Sequence, residues 1–478
     1  MLRPWILEVQ LDRNETKAVY LQIADAIIRD IQSGRLKAGT ALPGSRKLAE
    51  EIKVNRNTVV DALDVLLSQG WLVSEERRGT FVAEITPGRN LTNKSTSLPE
   101  PSVNTFPKAN VIFDDGHPDS KIAPIDLLAR AYRQIFKRKA RWKMMGYAHE
   151  FGDIDFRNSI VDMLSHKRGM YVGESNICIT RGSQMAIYLI AQCLFKKGDY
   201  VAIESPGYKS AWKVFENSDA ALLPIGVDHE GLIVADLEKQ LQAGKKVKAI
   251  YITPHRQYPT TVTMSLHRRT ELIRLVNEHD ITIIEDDYDY EFHFGRRPIL
   301  PLSSYSNLKK FLYVGTLSKV VAPALRIGYL VSNDPDLLHK IGELRKIIDV
   351  QGDTIMEQAV LELIHDGTIK RHIRKATQHY KHKRDFMVSL MEKYMDGLVD
   401  YEVPGGGLAI WIIPRKKMDW TVLMERVREK GVQIIPPEQY SYGTDVNGIR
   451  LGYGSLDNEQ LEQGVKTLGE LLRKLMEK

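Results

Sequence analysis

The 478-residue sequence predicts two parts of different fold class: a small helical unit closed by a β-hairpin, and a larger α/β unit on a mainly parallel sheet. Three observations predict it. Up to about residue 85, three helical apolar stripes precede two short strand-like runs. From Thr86 to Asn110, a stretch rich in Pro, Ser, Thr and Asn has no apolar period. Beyond it, β-branched runs alternate with helical runs.

Composition bounds the classes. At roughly 100–200 residues per domain, the length allows about two to four domains. Hydrophobic residues make up 43% and charged residues 27%, enough for a sizeable core and a solvated surface. The longest uncharged stretch, Gly182 to Phe195, is 14 residues, short of the about 20 apolar residues of a membrane span. Met1-Leu-Arg-Pro-Trp lacks the basic-then-apolar start of a signal peptide. Cys178 and Cys193 are too few for a disulfide framework or a cysteine-rich zinc site. A cytoplasmic protein with no membrane span and no metal site is expected.

In the first part, Leu21, Ile23, Ala24, Ile27, Ile28 and Ile31 form one apolar stripe, so a helix is expected over Ala18 to Ser33, ended by Gly34. A second helix fits Ser45 to Ile52 and a third fits Arg56 to Gln69, joined tightly by Lys53-Val54-Asn55. Trp71-Leu-Val, a polar turn from Ser74 to Gly79, and Thr80-Phe-Val-Ala read as a hairpin. This order is that of a winged helix-turn-helix, whose third helix enters the major groove of double-stranded DNA. Arg56, Asn57 and Thr58 occupy its first turn, with hydrogen-bonding groups suited to base edges or phosphates. Arg46, Arg77 and Arg78 are placed to clamp phosphates. Residues 1–87 hold 12 Lys/Arg and 12 Asp/Glu, so the unit is neutral despite a net charge of +6 for the chain. Dimerisation or basic surface elsewhere must then supplement DNA affinity. Between Ala129 and Met144 lie seven basic residues and no acid, read chiefly as a solvated helix.

In the second part, buried strands are expected at Asn176–Thr180, Tyr200–Glu204, Ala249–Thr253, Ile281–Glu285, Phe311–Val314 and Tyr329–Ser332. In such sheets ligands bind beyond the carboxyl ends of the strands. Polar groups recur there. Gly182, Ser183 and Gln184 open a helix whose N-terminus suits a phosphate. Tyr208 offers an aromatic face. Asp286 and Tyr288 follow an apolar run, where an acid is costly unless paired. Lys319 follows Thr316 and Ser318 in a largely apolar stretch that lowers an amine's pKa, and Arg326 comes seven residues later. A nucleophilic lysine, an acid, a stacking ring and phosphate donors together match the needs of pyridoxal 5′-phosphate. Lys319 would hold its aldehyde, Asp286 its ring proton, Tyr288 its ring hydroxyl and Tyr208 its ring face. Gly182, Ser183, Gln184, Thr316, Ser318 and Arg326 would surround its phosphate.

The set LPGSRKLAEEIKVNRNTV with GWLVSEERRGTFV resembles the DNA-binding domain of the GntR family. ITRGSQMAIYL, IIEDDYDYEF, VGTLSKVVAPALRIGYLV and GIRLGYG resemble a fold-type I aminotransferase of the aspartate aminotransferase superfamily. Together they resemble the MocR subfamily of bacterial regulators over nearly the whole chain. The resemblance implies residues 1–85 as the winged helix, 86–110 as a linker and 111–478 as the cofactor domain. Within that domain it implies a large subdomain of about 150–390 and a small one of about 391–478. It implies Arg450 as the grip on a ligand carboxylate and Tyr147 as a residue reaching the phosphate of the partner subunit's site. It also implies a head-to-tail, domain-swapped homodimer regulated by an amino acid or amine that forms an external aldimine at Lys319. An active aminotransferase with an accessory DNA-binding domain is the alternative. One departure is Tyr258-Pro259-Thr260-Thr261, where aminotransferases carry Asn-Pro-Thr-Gly. Tyr258 then takes over or shares the bond to the ring hydroxyl. His255 and Arg256 are further pocket candidates, and no second carboxylate-binding arginine stands near Tyr208.

Overall fold

The computed structural model describes residues 7–9, 11–12, 16–75, 78–84, 109–137, 142, 146–295, 299–443 and 445–477. Two compact units, Met1–Asn104 and Thr105–Lys478, divide the chain.

The first unit has helices α1 (Val19–Gln32), α2 (Ser45–Ile52) and α3 (Arg56–Ser68), and a hairpin of β1 (Leu72–Glu75) and β2 (Gly79–Val82). Its core joins Ile23 and Ile27 of α1, Leu48 of α2, Val59, Ala62 and Leu66 of α3, and Trp71 and Val82 at the hairpin. Each helix therefore buries the apolar stripe that its spacing marks. The turn between α2 and α3 is set locally. Lys53 takes the left-handed conformation that ends α2, and the Asn55 side chain accepts the Asn57 backbone N–H at 2.9 Å, capping α3.

The second unit is built on an eight-stranded sheet. In chain order its strands are β4 (Ile177–Thr180), β5 (Tyr200–Ser205), β6 (Ala221–Asp228), β7 (Gly231–Leu232), β8 (Val247–Ile252), β9 (Thr282–Asp287), β10 (Phe311–Thr316) and β11 (Gly328–Ser332), counting β3 (Val111–Ile112) earlier in the chain. The spatial order is β4-β11-β10-β9-β8-β5-β6-β7. From β10 to β6 neighbours are parallel; β11 runs antiparallel to both its neighbours, as does β7 to β6. Helices cover both faces over two apolar cores, as a mainly parallel sheet requires. All six strands expected from sequence form, within a few residues of their expected ends; β6 and β7 are additional. β6 contains Pro224, which argues against a strand, and the burial along it is irregular.

A third core belongs to a three-stranded sheet, β12 (Val399–Tyr401), β13 (Ala409–Pro414) and β15 (Ile449–Gly452), with β14 (Val432–Gln433) pairing β3. Val111 and Phe113, at the start of the unit, are buried in this C-terminal core. The 28-residue helix Thr368–Met395 joins this core to one of those of the large sheet: Ile369 packs in the latter, and Ala376, Tyr380 and Met387 in the former. Among the described residues no helix is long and apolar enough to cross a membrane.

Candidate functional site

The carboxyl ends of β5, β8, β9 and β10 converge on a cavity of about 210 Å³. Asp286, Tyr288, Lys319, Tyr208, Tyr258, Ser183, Thr316, Ser318 and Arg326 all line it. Residues separated by up to 143 positions thus meet where the polar strand ends of a parallel sheet meet.

At the base of the cavity Asp286 is buried, with its Oδ2 accepting from the Tyr251 hydroxyl at 2.7 Å and its Oδ1 without a partner. Burial raises its carboxyl to about 7, with Asp287 adding and Tyr251 and Lys319 opposing. A buried carboxylate with one free oxygen calls for a cation. Lys319 is half-buried, its Nζ 4.7 Å from the centre of the Tyr288 ring. Burial lowers its ammonium, opposed by Asp289, which favours the free amine needed by a nucleophile.

The phosphate end is built from backbone. Gly182 has φ +78° and caps the helix Ser183–Leu194, whose first N–H groups are free of helical bonds. A Cβ on Gly182 would stand 2.8 Å from Nη2 of Arg326. Arg326 is itself left-handed at φ +52° and donates to the Arg181 carbonyl at 3.2 Å. The Ser318 hydroxyl is buried without a partner, and the Thr316 hydroxyl accepts from the Ser318 N–H at 3.1 Å.

At the mouth, the Tyr258 hydroxyl donates to Oδ1 of Asp115 at 2.6 Å, and the Tyr208 ring stands edge-on to Tyr258 with centres 5.1 Å apart. The Tyr288 hydroxyl donates to the Arg256 carbonyl at 3.0 Å. Arg450, on β15, is 1% exposed and lies 5.3 Å from the Tyr258 ring centre. It donates to the carbonyls of Pro259 at 2.9 Å and Asp115 at 3.3 Å. Against burial, Tyr288, Asp115 and Asp289 act on it through space and push its pKa up.

Other expected residues lie elsewhere. Gln184 does not line the cavity; its amide donates to the Ser210 carbonyl. His255 and Arg256 do not line it either. His255 packs against Tyr290, and Arg256 donates to the Phe292 carbonyl and lies 3.9 Å from Asp289. Tyr147 is 90% exposed, apart from the cavity of its own chain. Sequence reasoning missed Tyr251, Thr253 and Asp115. Tyr251 carried a weak signal, as the one hydroxyl-bearing ring in the buried run of β8.

In the first unit, Arg46, Arg56 and Asn57 are exposed and Thr58 is half-buried. Nε of Arg56 donates to the Ser45 hydroxyl at 3.4 Å, tying the starts of α2 and α3. Arg78 is exposed and bonded to Glu75, a surface pair worth little to stability. Arg77 lies outside the described residues, as do Arg138, Lys139, Arg141 and Lys143 of the basic run.

The raised carboxyl of Asp286 has a testable cost. In the cofactor-free chain its folded pKa, about 7, exceeds the ordinary 3.8. The folded state therefore binds more protons than the unfolded chain between those values, and stability falls as pH rises through that window. Asp286→Asn removes this loss. Its melting temperature, measured without cofactor, should gain on the wild type between pH 5 and pH 8; a pH-independent difference would refute the assignment.

Residues 119–468 match the aminotransferase class I and II family, and residues 19–82 match the gntR family of bacterial regulatory proteins. The chain is 26% identical over 476 residues to the probable rhizopine catabolism regulatory protein MocR of Rhizobium meliloti, covering 96% of this chain and 94% of that protein. It is 28% identical to aromatic-amino-acid aminotransferase 1 of Thermococcus litoralis, over 76% of this chain and 88% of that protein. The crystal structure of Pyrococcus horikoshii kynurenine aminotransferase in complex with PMP superposes with a TM-score of 0.72 at 30% identity, over 76% of this chain and 91% of that one. The partnerless Asp286 oxygen, the glycine cradle under Arg326 and Lys319 in the same cavity fit the ring nitrogen, phosphate and aldehyde of the family's cofactor. Pyridoxal 5′-phosphate is accordingly the cofactor of this chain. The chain belongs to the class I and II aminotransferase family, carried behind a GntR-family DNA-binding domain in the arrangement of the MocR-type transcriptional regulators.

Proposed function

We propose that this chain regulates transcription by binding promoter DNA through α3 and its wing, and by sensing an amino acid or amine at the Lys319 cavity. The observation that carries the ligand reading is Arg450, a buried guanidinium with no ion-pair partner among the described residues, beside the cavity of Lys319. Against burial, Tyr288, Asp115, Tyr258 and Asp289 act on this guanidinium through space and favour its charged form, and its planar fork suits a ligand carboxylate. When bound, pyridoxal phosphate supplies an aldehyde that primary amines attack and a ring that withdraws electrons. The chain's own groups do the rest. Asp286 holds the ring proton, the glycine turn and Arg326 anchor the phosphate, Lys319 is the resident amine, and Arg450 orients the incoming ligand. Any effect on DNA requires the ligand to favour one conformation energetically. A head-to-tail dimer fits Tyr147, which is exposed on its own chain and free to reach a partner's site.

The test is the absorbance of the cofactor-loaded chain against a panel of amino acids and amines, with DNA affinity measured alongside. One compound should shift the band and alter DNA affinity. Absence of any bound cofactor would overturn the reading. The presence of the full set Lys319, Asp286 and Arg450 also favours a second reading, a working aminotransferase. That reading requires many turnovers with a 2-oxo acid acceptor, whereas sensing requires at most half-reactions.

At the DNA surface, Arg56→Ala should weaken binding by about 1–3 kcal/mol if the guanidinium reads a base, and relax specificity at one position. A phosphate contact would instead lower the salt slope by about one. Unchanged affinity and slope in a mobility-shift titration would remove Arg56 from the interface.

A further inference from the structure

One carboxylate at the mouth of the cavity keeps an oxygen without a hydrogen-bond partner among the described residues. Its neighbour Asp114 is saturated: Oδ1 accepts from the N–H groups of Gly116 and His117 at 2.8 Å, and Oδ2 from the Ser455 hydroxyl at 2.7 Å. Asp115 is different. It lines the cavity, half-buried, and its side chain takes one hydrogen bond among the described residues, from Tyr258 to Oδ1. That bond orients the carboxylate and leaves Oδ2 for a ligand.

The remaining charges assign the ligand's class. With cofactor in place, Asp286 faces its ring nitrogen, Arg326 its phosphate, and Lys319 is the amine that the ligand replaces. Asp289 is buried, 3.9 Å from Arg256, and acts through space on Lys319 and Arg450; His117 lies 3.4 Å from Asp114. Arg450 and Asp115 are left, one cation and one anion that attract each other through space and are linked through the Asp115 carbonyl and the Tyr258 ring. A monocarboxylic ligand with a neutral side chain satisfies Arg450 alone. A dicarboxylate brings a second anion towards Asp115, with no arginine but Arg326 lining the cavity to receive it. A like charge there is disfavoured, and an opposite one is held.

We propose that Asp115 makes this cavity selective for diamino monocarboxylic acids: carboxylate to Arg450, one amine to the cofactor, the distal ammonium to Asp115. The proposal rests on the reading of the cavity as an amino-acid site.

The experiment titrates the full, cofactor-loaded chain with L-ornithine and L-norvaline, L-lysine and L-norleucine, and L-glutamate, followed by absorbance and calorimetry. Within at least one pair, the diamino acid should bind about tenfold more tightly than its neutral counterpart, a typical return for a charge-assisted hydrogen bond. Glutamate should bind worst. Asp115→Asn should bring the ratio to within about twofold in a chain that still binds cofactor, and Asp115→Glu should retain a preference for the diamino acid. Neutral partners binding as tightly as diamino acids in both pairs, or a ratio that survives in Asp115→Asn, would overturn the proposal. Silence towards all five, with other primary amines still shifting the band, would also overturn it while sparing the ligand site. Silence towards every amine would overturn the site reading and this proposal with it.

Discussion

Lys319→Ala should leave a chain that folds and binds DNA but no longer holds its cofactor covalently. The visible band of the loaded protein should vanish after dialysis, and cofactor affinity should fall by at least about tenfold, because only the phosphate, ring and Asp286 contacts remain. DNA affinity without amine should stay within about twofold of wild type, since α3 and its wing belong to a separate compact unit. The response of that affinity to amine should disappear. A variant that keeps both its band and its response would show that another amine serves the site.

Arg450→Gln should have the next largest effect. Losing a charged partner in a dry site costs roughly 1.5–3 kcal/mol, about 10- to 100-fold in affinity for a carboxylate-bearing ligand. Primary amines without a carboxylate should bind the variant about as well as wild type, and this contrast separates lost recognition from general damage. Arg450→Lys should recover part of the affinity at most, because an ammonium keeps the charge but not the planar fork that also serves the carbonyls of Pro259 and Asp115. Equal losses for amines and amino acids in a titration of the loaded chain would contradict a carboxylate role.

The parts legible in the sequence are those governed by local chemistry. Ile23, Ile27, Val59, Ala62 and Leu66 keep helical spacing and form the core of the first unit. Asn55 was legible as part of a tight connection and caps α3. β4, β5, β8, β9, β10 and β11 announced themselves as β-branched runs, and Asp286 and Lys319 as polar groups out of place at the ends of two of them. What was hidden depends on contacts between distant segments. Asp115 and Tyr258 are 143 residues apart, and nothing near either names the other. Tyr251 looks like a core ring until its hydroxyl meets Asp286. The Gln184 side chain turns to the Ser210 carbonyl, a contact that nothing in the local sequence names. Val111 and Phe113, outside every expected strand, belong to the C-terminal core, where β3 pairs with β14 far later in the chain.

The central claim is that amine binding at Lys319 and DNA binding by the winged helix are coupled. Coupling is reciprocal: if an amine changes DNA affinity by some factor, DNA must change amine affinity by the same factor. The most direct measurement titrates the cofactor-loaded chain with the amine that shifts its absorbance, with and without saturating amounts of a duplex selected by the full chain from a random pool. The amine's midpoint should move by severalfold or more, matching the change in DNA affinity, and neither change should occur in Lys319→Ala. Identical midpoints with and without DNA would contradict the account, leaving a DNA-binding unit and an amine site that share a chain but not a free energy.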